Sequence, residues 1–182
     1  MDFTQIIGSE LKNQALSQIA QKIGGDNATA QKLISAALPS VLGALEKNTS
    51  TQEGVQALDT ALSAHTGTSS INIQDGEKIL GHLLGGETQT EIENIAAKTG
   101  ATPTQSGQVM SMLSSLVMEK LGDQKAAGLD GNAIAKLLSG SSKSTSQMLG
   151  MFLDQDGDGD FDSQDAVKFG MKWIQQKFLG KK

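Results

Sequence analysis

The chain has 182 residues, enough for one domain of ordinary size or for a domain with an appendage. Hydrophobic residues make up 37%, mean hydropathy is -0.22, and no apolar run approaches the ~20 residues of a membrane-spanning helix, so the composition describes soluble globular material. The net charge of -5 sets 20 acidic residues against 15 lysines; the lack of cysteine excludes disulfides and thiolate chemistry, while the lack of arginine and 3% aromatics argue against nucleic-acid recognition.

The N-terminal stretch "MDFTQIIGSELKNQ" has neither a basic n-region nor an apolar h-region, so a cytoplasmic protein is expected. Apolar residues then recur at helical spacing almost everywhere, and no stretch shows sustained strand alternation. Ile7, Leu11, Ala15, Ile19 and Ile23 step by four and mark one face of a first helix. Leu33, Ala37, Val41 and Leu45 mark a second, which must tolerate Pro39 as a kink. Ser50-Thr51-Gln52-Glu53 reads as a capping box that opens a third helix through Leu58 and Leu62. Thr88-Gln89-Thr90-Glu91 reads as another, ahead of Ile92 and Ile95. Thr102-Pro103 places a cap residue before a proline at the first helical position, and the following helix carries Val109, Leu113, Leu116, Val117 and Leu121. Asp130 is expected to cap a shorter helix holding Ile134, Leu137 and Leu138. The expected fold class is all-α and multihelical.

The chain also repeats itself. At an offset of 76 residues, "IAQKIG" (Ile19 to Gly24) falls on "IAAKTG" (Ile95 to Gly100). The same offset lays Leu33 on Val109, Val41 on Val117, Leu45 on Leu121, Leu58 on Ile134 and Leu62 on Leu138. This predicts an internal duplication, with units at about 5–65 and 80–140, packed into one helical domain over residues 1–140 with a shared core. The units differ at their starts, where Gly85-Gly86 stand in the second and an uninterrupted helix is expected in the first.

Beyond residue 140 the character changes. "SGSSKSTS", Ser139 to Ser146, reads as a polar hinge. The only tryptophan, Trp173, and four of the five phenylalanines, Phe152, Phe161, Phe169 and Phe178, follow it. Residues 141–182 therefore either dock on the repeat domain or form a small unit that needs a metal ion.

That segment holds "DQDGDGDFDSQD", Asp154 to Asp165, in which six of twelve residues are aspartate. Removing these six charges from the net -5 leaves the rest of the chain at +1, so the acidity of the protein is local. A hard cation such as calcium takes six to eight oxygens from a loop that curls around it, with ligands at loop positions 1, 3, 5, 7, 9 and 12 and glycine at 6. With Asp154 first, Asp156, Asp158, Asp160 (through its carbonyl), Asp162 and Asp165 fall at the remaining ligand positions, and Gly159 falls at 6. Phe161 then occupies position 8, which is apolar and core-facing in such loops. Starting at Asp156 instead would put Phe161 at position 6, where the turn needs glycine. A solvated acidic linker is the alternative, but a linker has no reason to keep Gly159 and Phe161 in register. Ordering six like charges without a counter-ion would also be costly.

Apolar residues flank the loop at helical spacing, Met148, Leu149, Met151 and Phe152 before it and Ala166, Phe169, Trp173, Ile174 and Phe178 after it. The whole resembles the EF-hand family, and the closing "DSQD" resembles the dockerin-type loop. Asp165 is shorter than the glutamate of sensor loops, which admits magnesium as a competitor and leaves affinity open across roughly 10⁻⁸ to 10⁻³ M. Only one loop is present, so its pairing partner would be another part of the chain or a second molecule.

Other candidates carry less. His65 and His82 lack carboxylates at metal-ligand spacing and read as surface or structural residues. "GHLLGG" (Gly81 to Gly86) lacks the GK[ST] ending of a phosphate loop, and no strand precedes it. Met110, Met112 and Met118 could form an adaptable binding face, but core packing is the stronger reading. No Ser/His/Asp or paired-carboxylate constellation is visible, so no enzyme is expected.

"AALPSVLGAL" (Ala36 to Leu45), "ILGHLLGG" (Ile79 to Gly86), "KTGATPTQ" (Lys98 to Gln105) and "LDQDGDGD" (Leu153 to Asp160) together resemble a bacterial family known as YidB-like, or domain of unknown function 937. The resemblance implies a multihelical bacterial protein and assigns no functional residue. The leading expectation is thus a non-enzymatic helical protein with one calcium ion, structural rather than switching, and no membrane insertion. The alternative is an interaction or scaffold module, through a protein partner or self-association, in which the ion is incidental.

Overall fold

The computed structural model describes residues 3–65, 71–139 and 141, which belong to one compact unit ending before Ser146, and every regular element among them is helical. The all-α expectation is met there. Apart from Ser139 and Ser141, the polar hinge and the loop segment lie outside the described residues.

The first predicted helix is three pieces in one rod: α1 (Phe3–Glu10), a π-helical turn (Leu11–Ala15) and α2 (Leu16–Lys22). The apolar stripe explains the π turn. A step of four residues overshoots the 3.6-residue α-helical turn by about 40° each time, so an unbroken α-helix would carry the stripe off the core. The wider π turn recovers that angle. Ile7, Leu11, Ala15, Ile19 and Ile23 are accordingly all buried.

Gly24 then adopts φ +65°, a left-handed conformation that suits glycine after a helix end. Asp26 is extended and its carboxylate accepts from the Thr29 amide at 2.7 Å, capping α3 (Asn27–Asn48). Pro39 sits inside α3, and the helix continues through it. An interior proline costs about 3 kcal/mol, which the packing of Leu33, Ile34, Leu38, Val41, Leu42 and Leu45 offsets.

Helix α4 (Gln52–His65) starts one residue later than its sequence signature implies. Ser50 donates to the Lys47 carbonyl at 2.7 Å and closes α3, so the hydroxyl of Thr51 receives the Gly54 amide at 3.1 Å. Helix α5 (Ile73–Leu84) has no counterpart among the expected elements. The Asn72 side chain caps it, accepting from the amides of Gln74 at 3.0 Å and Asp75 at 3.3 Å.

A 3-10 turn (Gly85–Glu87) leads into α6 (Thr88–Thr99), and the capping box expected at Thr88 does not form. The Thr88 hydroxyl donates to the Gly85 carbonyl at 2.7 Å, while Glu91 is drawn away to Ser40 on α3. Gly100 at φ +75° ends α6, and Thr102 opens α7 (Pro103–Ala126) as the cap residue before a proline, as its sequence predicts, with a capping box to Gln105 besides. Asp130 caps the next helix, α8 (131–139), by accepting from the Ala133 amide at 2.8 Å.

Helix α7 forms the centre. It packs against α3, α4, α5 and α6 and also touches α1 and α2. Every residue from Val109 to Met118 is buried, including Met110, Met112 and Met118, so the methionines pack in the core as expected. A close approach to α7 is made at Gly76 of α5, where a Cβ would lie 1.9 Å from the Ser111 carbonyl oxygen.

Candidate functional site

The six expected cation ligands, Asp154, Asp156, Asp158, Asp160, Asp162 and Asp165, lie outside the described residues, as do Phe161 and Trp173. Among the described residues, no group of three or more histidine, aspartate or glutamate side chains is placed to hold a metal ion.

Several polar side chains there join helices that are distant in sequence. Ser40 on α3 donates to Glu91 of α6 at 2.5 Å. At the end of α3, the Asn48 amide donates to the carbonyls of Ala44 at 2.8 Å and Leu83 at 3.0 Å, tying α3 to the end of α5. Gln105 completes the α7 capping box and also donates to the Ile23 carbonyl at 3.2 Å, joining the start of α7 to the end of α2. Lys125 of α7 pairs with Asp59 of α4. The Asn72 backbone N–H donates to the Ser115 hydroxyl at 3.2 Å, fixing the start of α5 on α7. Apart from this last link, each joins a residue before 66 to one after 80.

Lys120 of α7 is more enclosed than Lys125. Its Nζ lies 3.0 Å from Glu119, 3.5 Å from Asp123 and 3.6 Å from Glu10 of α1. Burial is the largest single influence on its pKa and lowers it, but the hydrogen bond and charge of Glu119, with the charges of Glu10 and Asp123, outweigh burial. The pKa therefore stands above the ordinary lysine value. The group favours the fold at neutral pH, and its contribution is lost as pH rises from the ordinary lysine value through the raised one. Asp26 is shifted the other way. The hydrogen bonds from the Thr29 side chain and then its backbone hold the carboxyl below its ordinary value.

These arrangements are helix caps and ties between elements. Among the surface clefts that the described residues form, two are shallow. One, of about 320 Å³, is lined by Lys22 and residues 71–74. The other, of about 310 Å³, lies between the α3–α4 turn and α8 and is lined by Thr49, Ser50, Gln52, Val55, Asn132 and Lys136, among others. Neither includes a histidine or a carboxylate among its described lining residues. His82 is exposed on the last turn of α5, in keeping with a surface role. No helix among the described residues is long and apolar enough to cross a membrane.

Sequence reasoning missed the ties made by Asn48, Glu91 and Gln105, because each joins residues at least 35 positions apart and leaves no local signature. It also missed two helix starts that had one: Asp26 and Asn72 are good cap residues, each standing just before its helix.

No curated protein and no solved structure matches the chain. A family model does, over residues 5–124, which takes in the described helices from α1 into α7. The chain belongs to the DUF937 family of bacterial proteins of unknown function.

Proposed function

We propose that this is a non-enzymatic helical protein that binds one calcium ion through the loop Asp154–Asp165 and uses it to order the segment that carries the loop. The observation behind this reading is the register of the sequence. Asp154, Asp156, Asp158, Asp160, Asp162 and Asp165 occupy ligand positions 1, 3, 5, 7, 9 and 12, with Gly159 at 6 and Phe161 at 8. The helical unit provides a contrast that supports it. There Asp26 and Asp130 serve as caps, and Asp59 and Glu91 as ties to other helices. Six aspartates within twelve residues are costly to order unless an ion neutralises them.

Titration calorimetry of the full chain with calcium, and separately with magnesium, tests the reading. Heat is expected with calcium at or below millimolar concentration, and Asp158→Ala should abolish it. No heat at millimolar calcium, or heat unchanged in Asp158→Ala, overturns the proposal. Trp173 is the only tryptophan, and it follows the loop by eight residues. Its emission should therefore shift to longer wavelength when a chelator removes the ion.

We also propose that residues 5–65 and 80–140 are two copies of one helical unit. The 76-residue offset pairs Gly24 with Gly100, both left-handed, and Asp26 with Thr102, both N-caps. It pairs the first residues of α3 and α7, Asn27 and Pro103, and lays buried Leu33, Val41 and Leu45 on buried Val109, Val117 and Leu121. The copies diverge at their starts, where the first carries a π turn and the second a 3-10 turn. Comparing each half with the other in further members of the family tests this, since a real duplication keeps the cap glycine and the cap residue at one shared offset.

A further inference from the structure

We draw no further inference here: the strongest candidate, the patch of exposed glycines Gly43, Gly81, Gly85 and Gly86 on α3 and at the end of α5, is a stripe of small residues, and nothing in the structure shows what covers it.

Discussion

Helix α3 enters from an extended Asp26 after the left-handed Gly24, and α7 enters from an extended Thr102 after the left-handed Gly100, yet the two are surrounded differently. Helix α3 buries a broad leucine-rich stripe and leaves Ala28, Gly43 and Lys47 exposed. Helix α7 is buried without interruption from Val109 to Met118, and between its large side chains it places Ser111, Ser114 and Ser115. A helix covered mainly on one side can fill that side with leucine. A helix enclosed by several neighbours needs small residues where their backbones come near, as Gly76 does at Ser111. Similar ends thus lead to different middles, because the cap is a local problem and the middle is set by what surrounds it.

The comparison can be tested by breaking the middle of α7 first. Leu113 is fully buried, and Leu113→Ala is expected to destabilise the chain by about 2–5 kcal/mol in urea denaturation. A loss below about 1 kcal/mol would show that α7 is not the centre of the core. Next comes the contact that α7 imposes on α5. Gly76→Ala must displace the backbone at Ser111 and should cost about 1–3 kcal/mol. Its control lies on the exposed side of α3, where a Cβ at Gly43 meets nothing within 4 Å. Gly43→Ala should therefore gain up to about 1 kcal/mol from better helix propensity. Equal signs for the two glycine variants would remove the distinction between enclosed and exposed faces.

The helix starts are expected to give smaller effects. Thr102→Ala removes the hydroxyl that receives the Gln105 amide at 3.2 Å and should cost about 1 kcal/mol. The cap of α3 also differs from that of α7 in that Asp26 titrates and Thr102 does not. The pKa of Asp26 is depressed in the fold, so its charge adds stability above the ordinary carboxylate range, and that stability disappears as pH falls through the depressed value. Asparagine caps about as well without a charge. The difference in urea midpoint between wild type and Asp26→Asn should therefore narrow from about pH 6 to about pH 3. A difference that stays constant with pH would assign it to the shape of the side chain rather than to its charge.

How much of this was legible in the sequence differs from element to element. The stripe Ile7–Ile23 identified the first rod and its buried face, and its step of four already held the reason for the π turn, although spacing alone did not reveal it. Thr102-Pro103 could be read as cap and first helical residue because both act locally, while the box that Gln105 completes three residues on went unread. The similar signature at Thr88 failed because its glutamate had a better partner on α3, which no local pattern records. Helix α5 was missed because Gly76 and Gly81 thin its apolar pattern, and the reason for one of them, Gly76, lies 35 residues away on α7. For the aspartate loop, the ligand register rests on spacing within twelve residues, and legibility there comes from the sequence alone.

The sequence by itself determined the helical character, the starts of α7 and α8 and much of the core's membership, because period, caps and apolarity act within a few turns of chain. Only the tertiary structure decided which long helix lies at the centre, where Glu91 and Gln105 spend their hydrogen bonds, and why Gly76 has no side chain. These depend on which backbones meet. Residues brought together across 35 or more positions carry no mark of one another until the chain has packed.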